Sequence, residues 1–439
     1  MHSAQMVKNM KIKELIEATG AKVLTEVDKD LDVKISTDTR TIQKGDFYLP
    51  LKGASFDGEK FINQAFENGA IGAFCTGDNG TLQVQNTLTA YLQLANYRRK
   101  KLNFTVVAIT GSSGKTTTKE LAASVLSEKF RTFKTPLNHN NEIGFCQTIF
   151  EAPDDTEILV LEMGMRGLGE IELLSKYAEP DITIISNVGT AHIGRLGSRE
   201  NIAKAKCEIV KYQRGNIFIA HDDELIKKTV QFSGKKIFYS IKDVKILEKD
   251  THYSKFEYYG NIYELNVGGD YNIENALSAI NTGLALGMKV NEIQSGLKKY
   301  APIEKRWEAV NAGGFEIIND SYNANPESMR AFIDTIFELY EKPVVILGDM
   351  GELGEDEIKY HSELGKYINS HKNLRQDAEI LSIGKLSKYI TDEVKNCPAK
   401  HFKTIEQAAA YLKNKDTKVQ LFLKASRSMK FERIIEELK

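Results

Sequence analysis

An excess of charge of either sign is absent from this chain. Its 59 Lys and Arg residues face 60 Asp and Glu, a formal net charge of −1. A nonspecific nucleic-acid binder needs a basic surplus to displace counterions, so that class is disfavoured. Cysteines are few: Cys75, Cys146, Cys207 and Cys397 are scattered and form no C-x-x-C pair. That spacing argues against a zinc site or a disulfide framework and suits a reducing, cytoplasmic compartment. No apolar run is long enough to span a bilayer, so no membrane partner is expected. Met1 to Lys11 carries lysines but no apolar core, so no signal peptide is expected. Short-period repeats, low-complexity tracts and long linkers are missing too. What remains is ordinary globular material, 41% hydrophobic and 27% charged over 439 residues. That length suggests about three domains, each able to build a core. We expect a monomer acting on small molecules.

One stretch carries most of the chemistry: Thr110-Gly111-Ser112-Ser113-Gly114-Lys115-Thr116-Thr117-Thr118. The run before it, Phe104–Ile109, is apolar and β-branched. The run after it keeps Leu121, Val125 and Leu126 at helical spacing. Strand, glycine-rich turn and helix start together make an anion cradle. Gly111 and Gly114 permit a tight turn that aims backbone N–H groups at one point. The helix N-terminus adds partial positive charge, and Lys115 adds a full one. Thr116 stands where a hydroxyl binds Mg²⁺. The longer phosphate-loop pattern asks for glycine at 109, which is Ile109; the shorter Gly-x-x-Gly-Lys-Thr form remains.

Three segments follow from the pattern of runs. Residues 1–100 mix short strands and helices, with Phe61, Ala65 and Phe66 at helical spacing and a loop at Gly53–Gly58. The cluster Asp38-Thr39-Arg40 can hold a polar ligand, or can be a turn with a local salt bridge. Residues 101–312 carry the phosphate loop and the strand-like runs Ile158–Leu161 and Ile182–Ile185, which end on Glu162 and, two residues on, Asn187. Residues 313–439 repeat the theme. Phe315–Ile318, Val344–Leu347, Glu379–Ile383 and Gln420–Leu423 are strand-like, a helix covers Glu327–Tyr340, and polar residues close each run. Buried strands alternating with helices predict doubly wound α/β units with parallel sheets and an active edge at the strand C-termini. The flexible run Asn311-Ala312-Gly313-Gly314 is the expected hinge between the last two units.

Three further residues invite a role. Glu162, at a strand end within the phosphate-loop segment, can hold Mg²⁺, the plainer reading being a solvated strand terminus. His192 follows another strand end, where a lone histidine is more often a surface or core residue than a metal ligand. Lys206 has the spacing of an ordinary helix-face lysine.

Longer signatures carry a family resemblance. Leu161-Glu162-Met163-Gly164-Met165-Arg166-Gly167, Asp320-Ser321-Tyr322-Asn323-Ala324-Asn325-Pro326, Leu347-Gly348-Asp349-Met350-Gly351-Glu352-Leu353-Gly354 and Lys424-Ala425-Ser426-Arg427-Ser428-Met429 resemble the Mur ligases, ATP-dependent amide-forming enzymes of peptidoglycan assembly. Their short phosphate loop accommodates Ile109. The likeness covers almost the whole chain and is weakest in the first hundred residues. It implies three α/β domains: a UDP-substrate-binding domain, a central ATPase-like domain and a C-terminal Rossmann-like domain.

The resemblance implies roles residue by residue. Gly111, Ser112, Ser113, Gly114, Lys115, Thr116 and Thr117 would hold ATP phosphates. Thr116 and Glu162 would bind one Mg²⁺. His192 and a carbamylated Lys206 would serve a second. Asn275 would contact adenine, with Arg306 and Asp320 closing over the nucleotide. Asn138, Asn140 and Asn141 match the substrate loop, and Tyr322, Asn323 and Asn325 match the run typical of the branch that uses D-alanyl-D-alanine and UDP-N-acetylmuramoyl-tripeptide. Asp38, Thr39, Arg40 and Gly53–Gly58 look like the uridine-nucleotide region. The chain departs from the family at Tyr271 and Glu59, where histidine is common, and at Gly194, where an acid is frequent. The competing expectations are a relative that adds the third peptide residue, a folylpolyglutamate synthetase-like enzyme, and a regulatory phosphate-loop ATPase.

Overall fold

The computed structural model describes residues 10–439 apart from 54, 55, 137 and 304. Most of the Met1–Lys11 leader reading, and Ala54 and Ser55 of the Gly53–Gly58 loop, lie outside the described residues. No helix among the described residues is long and apolar enough to cross a membrane.

The central unit is a six-stranded, wholly parallel sheet. Its order is Lys235–Tyr239, Ile217–His221, Ile182–Ile185, Thr105–Thr110, Ile158–Glu162, Thr132–Lys134. Successive strand residues point to opposite faces, and in the inner strands Thr105–Thr110, Ile158–Glu162 and Ile182–Ile185 both faces are buried, so those runs are largely apolar. Val107, Ile109, Val160 and Ile184 pack with Leu121, Val125, Ile273 and Ile280 of the helices Lys115–Leu126 and Asp270–Ala285. Their neighbours Val106, Ala108, Leu159 and Ile185 pack on the other side with Leu94, Ile149, Leu174 and Ile202. Those belong to helices Thr87–Leu102, Glu142–Glu151, Glu170–Ala178 and Arg199–Cys207.

The helix Thr87–Leu102 crosses the boundary drawn at residue 100, and its last turn explains why. Arg98 Nε and Nη2 donate to the carbonyls of Ile149 and Ala152 at 3.1 and 2.9 Å. Arg99, fully buried, donates to Ala178 and Glu179 at 2.8 and 2.9 Å. Two adjacent arginines thus satisfy the open carbonyl ends of two different helices, where cations are also favoured by the helix dipole.

The C-terminal unit is a second six-stranded sheet, ordered Glu308–Ala312, Phe315–Asn319, Leu421–Lys424, Val344–Gly348, Glu379–Ile383, Ala399–Phe402. All pairs are parallel except the first. This corrects two expectations. Glu308–Ala312, assigned from sequence to the central segment, is an edge strand of the C-terminal sheet. The Gly313-Gly314 run is the two-residue turn of that hairpin, with φ of 55° and 84°, rather than a hinge between units. Just upstream of this edge strand, Lys305 and Trp307 take φ of 61° and 56° on either side of Arg306.

The N-terminal residues form a five-stranded sheet of short strands: Lys22–Val23, Leu82–Gln83, Gly72–Cys75, Phe47–Tyr48, Ile35–Ser36. A three-stranded antiparallel sheet, Lys245–Lys249, Ser254–Tyr258 and Asn261–Leu265, is a part that the sequence reading did not foresee.

Candidate active site

The C-terminal strand edges of the two large sheets face one cavity of about 840 Å³. The phosphate loop forms its floor. Gly114 takes φ of 76°, and a side chain there would begin 2.4 Å from Asn275 Oδ1. Gly111 is equally confined, since a Cβ would sit 1.9 Å from Ser186 Oγ. Close approach confines both glycines, and at Gly114 the left-handed backbone asks for glycine as well. Lys115 Nζ donates to Gly111 O at 2.9 Å. Burial lowers the Lys115 pKa; the Glu162 carboxylate opposes this and Arg306 adds to it.

A second loop, residues 186–192, supports the first. Ser113 N donates to Asn187 Oδ1 at 2.9 Å, Ser186 Oγ donates to Ser113 O at 2.6 Å, and Gly189 N donates to Ser112 Oγ at 2.9 Å. Asn187, marked from sequence as a polar strand end, is thus a brace for the phosphate loop.

Glu162 is the last residue of its strand and is buried. Its Oε1 accepts from Asn140 Nδ2 at 2.9 Å, while Lys119 Nζ stands 3.9 Å from Oε2. Glu162 Oε2 has no hydrogen-bond partner. A buried carboxylate oxygen without a donor, beside a phosphate cradle and Thr116, fits a hard divalent cation. Among the described residues no cluster of three or more His, Cys, Asp or Glu forms a ready-made metal site.

The cavity collects most of the sequence candidates: Ser112 to Thr117, Asn138, Asn140, Asn141, Glu162, His192, Asn275, Arg306, Asp320, Tyr322, Asn323 and Asn325. Several are already bonded. Asn141 Oδ1 caps its helix through Gly144 N at 2.9 Å. Thr118 Oγ1 donates to Asn275 Oδ1 at 3.2 Å. The Arg306 guanidinium lies 3.9 Å from the Tyr322 ring centroid. Asp320 accepts from Trp307 N at 3.2 Å and pairs with Lys424 Nζ at 2.5 Å.

Other candidates are placed apart. Lys206 is fully buried in its helix and does not line the cavity. Burial lowers its pKa well below the usual lysine value, and the positive charge of Lys115 adds to that. Asp38, Thr39 and Arg40 do not line the cavity either. Arg40 binds Asp38 with Nε at 2.9 Å and Nη2 at 2.6 Å, which lowers the Asp38 pKa to about 2. Sequence reasoning also missed His221, Asp223, Arg199 and Glu274, which line the cavity. His221 Nε2 lies 3.3 Å from Glu274 Oε1 and its Nδ1 is buried without a partner. A lone His-Asp-Asp run at a strand end was the available signal.

The architecture has named counterparts. Residues 109–283 match the Mur ligase middle domain, and residues 305–427 match the Mur ligase, glutamate ligase domain. The UDP-N-acetylmuramoyl-tripeptide–D-alanyl-D-alanine ligase of Bacillus subtilis is 35% identical, over 98% of each chain. This chain belongs to the Mur ligase family.

Two solved structures are similar to this Mur ligase along nearly its whole length. A MurF from Acinetobacter baumannii has a TM-score of 0.88 at 28% identity, covering 98% of each chain. MurF from Thermotoga maritima, in complex with ADP, has a TM-score of 0.82 at 28% identity, covering 92% of this chain and 96% of that one.

The departures from the usual Mur ligase pattern have local reasons. A Cβ on Gly194 would lie 2.6 Å from Gly354 N, so no acid fits there in this arrangement. Glu59 accepts from Thr76 Oγ1 at 2.8 Å and Thr76 N at 3.2 Å. Tyr271 lines the cavity edge-to-face with Trp307, ring centroids 5.7 Å apart, and its hydroxyl is buried without a partner.

Proposed function

We propose that this Mur ligase joins D-alanyl-D-alanine to UDP-N-acetylmuramoyl-tripeptide, using ATP, in peptidoglycan precursor synthesis. One observation carries the reading: the phosphate loop and Tyr322, Asn323 and Asn325 of the Tyr322–Pro326 run line one cavity, where Asn325 bonds directly to Ser113 of the loop. A regulatory ATPase has no need of that second run.

The chemistry follows from charge. A carboxylate is a poor acyl donor. Its oxygen attacks the γ-phosphorus of ATP, ADP leaves, and an acyl phosphate forms. The amine of D-alanyl-D-alanine then attacks the acyl carbon, phosphate departs, and an amide remains. The first step brings two anions together. Lys115 and the N-terminus of the Lys115–Leu126 helix offset that repulsion, and Arg306 adds a cation from the C-terminal side. Thr116 and Glu162 would hold Mg²⁺, which supplies charge neutralisation on the phosphate oxygens. The orphaned oxygen of Glu162 supports this.

A second Mg²⁺ is assigned to His192 with a carbamylated Lys206. Burial supports the carbamate, because carbon dioxide adds only to a neutral amine, and the product anion would face the cation Lys115. Asn275 is assigned to the adenine, and Arg306 and Asp320 to closing over the nucleotide. Asn138, Asn140, Asn141, Tyr322, Asn323 and Asn325 are assigned to the peptide substrates, and Asp38, Thr39 and Arg40 to the uridine nucleotide. We assign the working units to residues up to about 100, to the central ATP-binding part, and to the C-terminal part from Lys305. We place the enzyme in the cytoplasm as a monomer.

Phosphate release from ATP, measured with UDP-N-acetylmuramoyl-tripeptide and with or without D-alanyl-D-alanine, tests the reading. Release that requires both, with amide formed in equal amount, is expected. Release that ignores the dipeptide would sink it.

A further inference from the structure

The first turn of the Pro326–Leu339 helix reaches across the cavity to the loop that braces the phosphate cradle. Glu327 Oε2 accepts from both Thr190 N at 3.0 Å and Thr190 Oγ1 at 2.8 Å. Beside it, a side chain on Gly189 would begin 2.8 Å from the same carboxylate oxygen. Two residues earlier, Asn325 Nδ2 donates to Ser113 Oγ at 2.9 Å. The same short loop donates Gly189 N to Ser112 Oγ and holds Ser113 through Asn187. One carboxylate from a helix of the C-terminal unit is therefore one residue away, along the chain, from a direct bond to the phosphate loop.

A second contact flanks the first. His192 Nδ1 lies 2.5 Å from Glu352 Oε2, and Gly194 N donates to Glu352 O at 3.2 Å. His192 and Glu352 both take left-handed backbone, with φ of 67° and 62°. Non-glycine residues adopt it at a cost, so surrounding contacts must hold them there. The Glu327 contact is the better clasp of the two. It joins a carboxylate to a backbone N–H and a hydroxyl at once, and leaves His192 free to change partners.

We propose that Glu327 is a positioning residue for the ligase reaction: by clasping Thr190 it ties the C-terminal unit to the 186–192 loop, and through that loop it sets the phosphate cradle when the cavity closes. It touches no reacting atom. Its effect is to hold the closed arrangement, which excludes water from the acyl phosphate. The proposal rests on the ligase reading above, and the test has an arm that does not.

The chain supplies its own reporter. Its single tryptophan, Trp307, sits at the junction of the two units. Trp307 Nε1 donates to Thr251 O at 2.8 Å, and the ring meets Tyr271 on one side and Phe332 on the other, each at 5.7 Å between centroids. Opening the cavity must change that environment.

Two measurements are made on Glu327→Ala, Glu327→Gln, Thr190→Val and the Glu327→Ala/Thr190→Val double variant. One is the Trp307 fluorescence change on adding a non-hydrolysable ATP analogue. The other is phosphate released per amide formed. Losing two hydrogen bonds to a carboxylate should shift the closed population roughly tenfold or more. Glu327→Ala should then weaken the fluorescence change, lower kcat, and raise phosphate per amide above one. Glu327→Gln, which keeps one acceptor oxygen, should fall between it and the wild type. Thr190→Val should add less in the double variant than alone. If alanine prevents folding, Glu327→Gln and Thr190→Val carry the same comparison. A folded Glu327→Ala that closes and couples like the wild type overturns the clasp, as do fully independent effects of the two sites. A wild type that closes on nucleotide but makes no amide overturns the ligase reading instead, and leaves the clasp to the fluorescence arm.

Discussion

Two carboxylates end two buried parallel strands, and they are used in opposite ways. Glu162 closes Ile158–Glu162 in the central sheet, and Asp349 follows Val344–Gly348 in the C-terminal sheet. Both stand at the strand edge where α/β proteins build their sites. Both oxygens of Asp349 have donors. It accepts from Lys385 N at 3.0 Å, Leu386 N at 3.0 Å and Ser387 N at 2.7 Å. Gly384 lies so close that a Cβ would come within 2.3 Å of Asp349 Oδ1. Asp349 is thus the anchor of a neighbouring turn. Glu162 keeps one buried oxygen with no donor. Position at a strand end is shared by both; what separates a structural carboxylate from a candidate ligand is which of its lone pairs are already taken.

The largest expected effects lie on the central edge. Lys115→Ala should abolish ligation while the protein stays folded, because the lysine acts on phosphate charge and is not core material. Glu162→Gln should cost about 10²-fold or more in kcat/KM, with a melting temperature close to wild type. Lys206→Arg should also be folded and inactive, since arginine keeps the positive charge that the proposed carbamate reverses; near-normal turnover would remove the carbamate. All three are read by steady-state ligation beside thermal melts.

Asp349→Ala should show the reverse pattern. Three backbone donors lose their acceptor, so denaturant unfolding should report a loss of about 2 kcal/mol. Its kcat per folded molecule should fall far less than that of Glu162→Gln. Equal losses of activity would erase the contrast between the two edges.

A smaller effect concerns pH. His361, fully buried beside Asp349, accepts from Met350 N at 2.9 Å through Nε2, and its Nδ1 lies 2.6 Å from Glu357 O. Burial lowers its pKa below the usual 6.5. The unfolded chain then binds the proton more readily, so this contribution to stability is full above pH 6.5 and is lost as pH falls through the lower folded value. Chemical denaturation across that range should show the loss, and His361→Gln should flatten it.

The smallest expected effect is at the exposed Asp38–Arg40 pair. Arg40→Ala should leave melting unchanged and raise KM for the UDP substrate by roughly threefold to tenfold, with kcat unaltered. An unchanged KM would return the cluster to a plain surface turn.

The phosphate loop was legible because it is local. Strand, glycines, Lys115 and Thr116 are contiguous, and their spacing alone specifies a cradle. Several buried strands of the two large sheets were legible for the same reason, since an unbroken apolar run such as Ile182–Ile185 marks a strand covered on both faces; the buried strand Ile217–His221 was not read. Local pattern failed where a residue's partner lies far along the chain. Glu308–Ala312 reads as the tail of one unit, yet pairs with Phe315–Asn319. Arg98 and Arg99 read as a solvated helix end, yet cap helices that end some 50 and 80 residues later. His192 reads as an isolated histidine until Glu352 arrives from the other sheet. By itself, then, the sequence determined the anion site and the principal buried strands, because periodicity and glycine chemistry act between neighbours. Which polar atoms are spent and which remain open was decided only by the tertiary structure, because hydrogen bonds are filled by whatever packing brings near, and sequence spacing does not carry that distance.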